Sequence, residues 1–347
     1  MNTRPSIVGT GFAGAVRCAG AARWRALATA TLAMATLASQ PARGEPDTFP
    51  NRTVRLVAAQ QAGSATDHVA RMLADALSSA WGQPTVVENR PGASGAIGTQ
   101  AVARATPDGY TLLVGGMSNI VTSPLLDAGY GVDPESGLVA IGRVAWVPFV
   151  LAVHPDVPAV TLAELVAHVR ARPGELVFAT AGPTAYSRLC VDMLVRAHGL
   201  DLLTVEYRSA PAPTLDLVAG RAQLQVNELA TMKQHADAGR LRILAVAGNR
   251  RAARIPAVPT FGEAGPVDIP VTPWYGLFAP AGTAPEVIAR IEVAYRTAMR
   301  DPKVIARIDA LGYEPILDEP GQFPEALRRD LAEARAMARR AGHSPAR

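Results

Sequence analysis

Residues 53–81 read TVRLVAAQQAGSATDHVARMLADALSSAW. The stretch opens with apolar residues at Val54, Leu56 and Val57 to Ala59, the pattern of a buried strand. A turn of small residues follows, Ala62-Gly63-Ser64-Ala65-Thr66-Asp67. Then Val69, Leu73, Ala76, Leu77 and Ala80 recur at helical spacing and define one apolar face. Ser64 and Asp67 stand three apart at the helix start, a capping box with Asp in place of Glu. Small residues let a ligand approach the backbone, and the first helical amides have no partners inside the helix. With the helix dipole they form a ready site for a carboxylate or phosphate. The same strand, turn and capped helix also serve as plain α/β architecture, so this stretch alone leaves both readings open.

The chain has 347 residues and a formal charge of +4, with 34 basic and 30 acidic side chains. Arg4, Arg17, Arg23, Arg25 and Arg43 fall in the first 44 residues, which hold no acidic side chain. Without those five, 29 basic residues face 30 acidic ones, a net charge of −1. A near-neutral body does not carry the footprint of a nucleic-acid-binding protein. The first 44 residues read as a secretory signal: arginines precede the apolar run Ala26 to Ala38, and small residues follow, with Ala42-Arg43-Gly44 as a candidate cleavage site. The run is too short to span a bilayer, and no later segment is longer. Cys18 would leave with the signal, so Cys190 would be the one cysteine of the mature chain and the fold would rely on its core.

Downstream, Thr85-Val86-Val87 predicts a second strand, 97–105 a helix and 110–114 a third strand. Gly92, Gly95 and Gly98 are spaced GxxGxxG rather than GxGxxG, and no acidic residue stands where a ribose partner would, so a nucleotide site is not expected. Gly115 to Asn119 form another small-residue loop at a strand end. A second block predicts strands at 149–153, 176–179, 203–207, 222–226 and 241–247 and helices at 161–170, 186–198 and 213–219. Its loop Thr180 to Ala185 repeats the strand, small-residue turn and helix order of the opening stretch. Proline-rich connections (Pro256, Pro259, Pro266, Pro270, Pro273) lead to a strand at 274–279 and helices at 285–300, 302–311 and 323–341. Alternating strands and helices imply α/β layers with mainly parallel sheets. Two blocks with anion-ready loops suggest two lobes facing each other across a cleft.

The six histidines have no metal-ligand spacing, so no metal or cofactor is expected. Neither a GxSxG elbow nor a P-loop is present, and Ser64 has no identifiable base beside it. Arg188, one turn into the helix after Gly182, is placed to clamp a carboxylate bidentately, or else is a solvated helix-face arginine. Trp146 and Trp274 flank the lobe crossovers and either wall the cleft or pack the core. Cys190 falls on an apolar helix side and reads as core.

The run from Val54 to Gly115 strongly resembles the substrate-binding proteins of tripartite tricarboxylate transporters, the TctC or Bug family. LVFATAG, VEYRSAPAPTLDLVAGRAQLQV, GRLRILAV, VPTFGEAG and WYGLFAPAGTAPEVIARI extend the likeness from Phe49 to about Ala341. The resemblance implies an exported, two-lobed type II periplasmic-binding fold, each lobe a mixed, mainly parallel sheet flanked by helices. It places residues 45–148 and 277–347 in one lobe and 149–276 in the other, behind a signal at 1–44. It implies a periplasmic, non-catalytic, monomeric protein that captures a small carboxylate for membrane permease subunits. Two other readings stand beside it: a sensor that signals to a membrane receptor, and a secreted hydrolase using Ser64. By position the resemblance implies ligand contacts from Gly63, Ser64, Ala65, Thr66 and Asp67, from Gly116, Met117 and Ser118, from Thr180, Ala181, Gly182, Thr184 and Ala185, and from Asn227 and Glu228.

The chain departs from the family pattern at four places. Gln60 stands where the family has Phe in PFPAGG, which makes that wall polar. In the family's SGxGSxxH loop, Thr184 replaces the second Gly, Ala185 the Ser and Arg188 the His. Asn227 stands where many relatives have Asp. Together these changes predict a more electropositive cleft, with Arg188 meeting a second anionic group of the ligand.

Overall fold

The computed structural model describes residues 49–207, 211–265 and 267–344. The expected signal segment, Cys18 and Pro266 lie outside the described residues. From Phe49 onward the chain is one compact unit.

The opening stretch folds as its pattern dictates. Strand β1 (Val54–Ala58) buries Val54, Leu56, Val57 and Ala58 and leaves Arg55 outside. Helix α1 (Ala65–Trp81) starts at Ser64 and stops where Gly82 takes a left-handed φ of 64°, which glycine adopts without steric cost. It buries Val69, Met72, Leu73 and Leu77, each contributing about 1.5–3 kcal/mol when fully removed from water. Strand β2 (Thr85–Asn89), helix α2 (Ala96–Ala103) and strand β3 (Thr111–Gly116) follow. β1 pairs in parallel with both β2 and β3.

The glycines of GxxGxxG are explained by packing. A Cβ on Gly98 would lie 2.8 Å from the Cα of Ala59 and from the carbonyl of Arg90, and one on Gly95 would lie 2.6 Å from the Cβ of Asn119. They let α2 approach β1 and the loop after β3.

Strand β4 (Leu138–Trp146) belongs to the same sheet, and the chain then crosses to β5 (Phe149–Val153) in a second sheet. The second block holds α3 (Leu162–Ala171), β6 (Val177–Thr180), α4 (Tyr186–His198), β7 (Leu203–Glu206), α5 (Pro211–Val218), β8 (Leu224–Glu228), α6 (Leu229–Asp237) and β9 (Arg242–Ala247). The capping box expected at Thr161 and Glu164 is complete. The chain returns through β10 (Trp274–Pro280), then α7 (Pro285–Met299), α8 (Pro302–Ala310), β11 (Glu314–Pro315) and α9 (Gln322–Arg340). The first sheet has the order β11-β4-β10-β3-β1-β2 and the second β7-β6-β8-β5-β9.

Both sheets are mixed, with a larger antiparallel share than the sequence suggests. β10 pairs antiparallel with β3 and β4 and β11 antiparallel with β4 in the first sheet, and β5 runs antiparallel between β8 and β9 in the second. The reason is topological. Strands that carry the chain between sheets re-enter without a helical crossover to their neighbour, which a parallel pair requires.

The return segment is fastened to the first sheet by charge. The Arg143 guanidinium on β4 donates to both oxygens of Asp318, at 2.6 and 3.0 Å, and its own backbone amide donates to Asp318 at 2.8 Å. Both side chains are buried, so removing either one would leave an uncompensated charge. Trp274 packs edge-on against Phe323, centroids 4.9 Å apart, and its indole donates to Asp330 on α9 at 2.7 Å. It is a core residue. Trp146 is half-buried, with the guanidinium groups of Arg143 and Arg250 5.0 and 5.1 Å from its ring. Cys190 is fully buried and its thiol is pushed up to about 12 by burial, as a core residue requires.

Candidate functional site

The loop between β1 and α1 is held rigidly. Ser64 accepts a hydrogen bond from the Asp67 amide at 3.3 Å. Asp67 accepts from the Gly63 amide at 2.9 Å, one residue earlier than a standard capping box. Its carboxylate also accepts from Arg71 at 3.0 Å and from Asn89 at 2.9 Å, and Asn89 donates as well to the Gln60 carbonyl. Burial opposes ionisation of Asp67, but Arg71, the Gly63 amide and Asn89 together hold its carboxyl below the ordinary value. Asp67 is therefore fully engaged as the tie of the loop and is not a free ligand group. Among the described residues the amides of Ala65 and Thr66 have no hydrogen-bond partner at the helix start.

The loop after β3 is fixed from below. Buried Asn119 accepts from the Gly116 amide at 2.8 Å and donates to Thr99 at 3.0 Å. Met117 packs into the core, so only its backbone borders the loop, whereas Ser118 is half-exposed. Ser118–Thr122 forms a turn of π-helix leading into the short helix Ser123–Leu126. Such turns are over-represented at functional sites.

In the second block, Thr180 ends β6 and is buried, Ala181 is exposed, and Gly182 takes a φ of 133° that other residues rarely adopt. Helix α4 begins at Ala185 with no side-chain cap, so among the described residues its first amides, Tyr186 and Ser187, are open donors. Ser187 is buried and its hydroxyl makes no hydrogen bond among the described residues.

Arg188 is not a free cation. Its guanidinium donates to Asp192 at 2.7 Å and to Glu206 at 3.3 Å, and Asp192 also meets His343 at 2.8 Å. Two carboxylates offset its charge, which removes the basis for a strongly electropositive cleft. Thr184 is likewise engaged. Its carbonyl accepts from Thr122 at 2.7 Å and its hydroxyl meets Ser123 at 3.0 Å.

At the end of β8, Asn227 is satisfied within its own block. It accepts from the Glu228 amide at 2.8 Å and donates to Thr214 at 3.2 Å. Part of Glu228 reaches the surface, but its carboxylate is enclosed, accepting from Tyr275 at 2.9 Å and Tyr313 at 2.6 Å. Burial pushes its pKa up, opposed by the two tyrosine hydroxyls.

The structure thus brings together Glu228 with Tyr275 and Tyr313, and the Ser118–Ser123 segment with Thr184. Gln60 is half-exposed and Gln61 is exposed. Sequence reading missed Asn89, Thr122, Ser123, Ser187, Tyr275 and Tyr313. Ser123-Pro124 was a usable signal, since proline in a first helical turn marks a helix start. A surface cavity of about 450 Å³ is lined only by the end of α7 (Val293, Arg296, Thr297, Arg300, Asp301) and includes none of these loops.

Two mixed sheets flanked by helices, with the chain passing between them twice, are the two-lobed type II periplasmic-binding fold. The family model described as tripartite tricarboxylate transporter family receptor, TctC, matches residues 69–342, and the chain belongs to that family. It is 35% identical over 326 residues to a UPF0065 protein of Bordetella bronchiseptica, covering 94% of this chain and 95% of that one. Among solved structures it is similar to a Rhodopseudomonas palustris protein, Rpa4515, solved with adipate (TM-score 0.78, 28% identity, 85% of this chain and 99% of that one). The periplasmic binding protein BugD is similar at TM-score 0.75 and 32% identity, with 85% and 99% covered. MatC from Rhodopseudomonas palustris, solved with bound malate, is similar at TM-score 0.74 and 26% identity, with 83% and 99% covered.

Proposed function

We propose that this chain is a periplasmic solute-binding protein that captures a small dicarboxylate between its lobes and presents it to the membrane subunits of a tripartite transporter. The observation that carries this reading is the pair of open helix starts, α1 and α4, at the C-terminal ends of β1 and β6 in different sheets. Amides at helix N-termini favour an anion through direct hydrogen bonds and the helix dipole. Two such starts suit an acid with a carboxylate at each end. The adipate and malate of the similar Rhodopseudomonas palustris proteins are both dicarboxylates, which supports the class.

The carboxylates are received by the amides of Ala65 and Thr66 and of Tyr186 and Ser187, with Ser118 and the Ser187 hydroxyl beside them. Gln60, Gly63, Ser64, Gly116, Met117, Thr180, Ala181, Gly182 and Ala185 shape the loops. Asp67, Asn227 and Arg188 hold those loops in place. The lobes are residues 49–146 with 274–344, and 149–247, following sheet membership. Ser64 spends its hydroxyl on the helix cap and His68 is exposed, which speaks for binding rather than hydrolysis.

Thermal unfolding with a panel of mono-, di- and tricarboxylates tests this. A ligand at a hundredfold excess over its Kd adds about 2.7 kcal/mol, a shift of a few degrees. Dicarboxylates should give the largest shift. Equal shifts with monocarboxylates would overturn the two-ended reading.

A further inference from the structure

Beyond the crossovers themselves, polar contacts join the two lobes at separate places. One is the carboxylate of Glu228 on the tyrosines of β10 and the segment before β11. Another lies at the site loops. Thr122 and Ser123 of the first lobe are both fully buried. The Thr122 hydroxyl donates to the Thr184 carbonyl at 2.7 Å, and also reaches the Ser118 carbonyl at 3.3 Å. The Ser123 and Thr184 hydroxyls are 3.0 Å apart. The first-lobe side of this contact is rigid, because Asn119 ties the turn to Gly116 and to Thr99 on α2. On the second-lobe side, Thr184 sits between Gly182 and the start of α4.

We propose that Thr184 is a closure latch, whose hydroxyl and carbonyl join the second lobe to Ser123 and Thr122 and hold the lobes together without help from a ligand. The physical case is one of geometry and burial. The Ser123 hydroxyl has no other hydrogen-bond partner among the described residues, so its buried bonding potential is met only when the lobes meet. A buried hydroxyl left unpaired is costly, and separation of the lobes exchanges these bonds for water. The Ser118–Ser123 segment borders the proposed carboxylate site. Opening the latch is therefore a step that release of a bound acid must include. That part of the inference rests on the solute-binding reading; the latch itself does not.

The test uses the whole chain with no acid added, so that failure of the carboxylate reading leaves it intact. Spin labels at Val160 on the second lobe and Val293 on α7 of the first, both exposed, report the interlobe distance. Cys190 is buried and stays unlabelled, and Cys18→Ser removes the other cysteine of the full chain. The wild type should be mostly in the short-distance population. Thr184→Val, which keeps the shape and loses the hydroxyl, should shift the open-to-closed ratio about three- to tenfold towards open. Thr184→Ser, which keeps the hydroxyl, should restore the wild-type distribution. Ser123→Ala should match Thr184→Val, and the double variant should shift no further than either one. A wild type without a closed population overturns the latch. So does an unchanged Thr184→Val distribution, a Thr184→Ser variant as open as the valine, or a double variant whose two effects add.

Discussion

Two buried aspartates show how environment decides what a carboxylate does here. Asp67 is surrounded by donors and held below its ordinary pKa, so its stabilisation is present above the unfolded value and lost as pH falls through the folded one. Asp330 has the opposite balance. Burial dominates, the Trp274 indole and Arg143 only partly oppose it, and its pKa rises to about 6. Its contribution is full below the unfolded value near 3.8 and is lost as pH rises through about 6. Asp330→Asn keeps an acceptor for Trp274 without the buried charge. It should raise Tm by a few degrees at pH 7.5 and flatten the stability profile between about pH 4 and 6. A lower Tm at pH 7.5, read by calorimetry, would show that the attraction of Arg143 outweighs burial. Arg188 gives a second test at this scale. With its charge offset by Asp192 and Glu206, Arg188→Ala should weaken dicarboxylate binding less than about fivefold by titration calorimetry, whereas a direct bidentate clamp would cost roughly a hundredfold. The sequence placed Arg188 correctly one turn into its helix, but not its partners. Glu206 lies 18 residues away and His343, which shares Asp192, 151 residues from it, and no spacing rule connects them.

At the scale of elements the sequence was most legible where local chemistry sets the ends. Ser64 and Thr161 mark helix starts through caps, and Tyr186–His198 and Phe149–Val153 fall at the residues their patterns predict. β4 was not legible. Leu138–Trp146 is buried along most of its length, so it lacks the alternation that marks a half-buried strand, and Gly142 interrupts its β-forming residues. That glycine exists for a neighbour: a Cβ there would lie 2.2 Å from the Tyr295 ring. Gly92, Gly95 and Gly98, whose spacing did not fit a nucleotide loop, are close-packing residues. Gly98→Ala should therefore destabilise the chain by about 1–3 kcal/mol in urea unfolding, since Ala59 and the Arg90 carbonyl are backbone and do not move aside easily. An unchanged midpoint would mean that α2 can shift outward at little cost.

The whole molecule is two lobes joined by the chain crossovers and by polar contacts between them. One of these contacts is made by Glu228, read from the sequence as a ligand group and found to accept from Tyr275 and Tyr313, 47 and 85 residues away. Tyr313→Phe removes one donor from the enclosed carboxylate and should lower stability at pH 7 by about 1–3 kcal/mol. The loss should shrink towards pH 4, where the carboxyl is protonated, because a raised carboxyl pKa places stability on the acid side. A loss independent of pH would assign the effect to packing of the ring. The central claim is that the lobes close on the two ends of a dicarboxylate through backbone amides rather than through a charged side chain. The most direct measurement is titration calorimetry of the chain with succinate, malate and adipate, each paired with its dimethyl ester. The account predicts that at least one diacid binds, that its diester does not, and that binding survives Arg188→Ala. Binding of the ester as tightly as the acid, or heat from none of the three diacids, would contradict it.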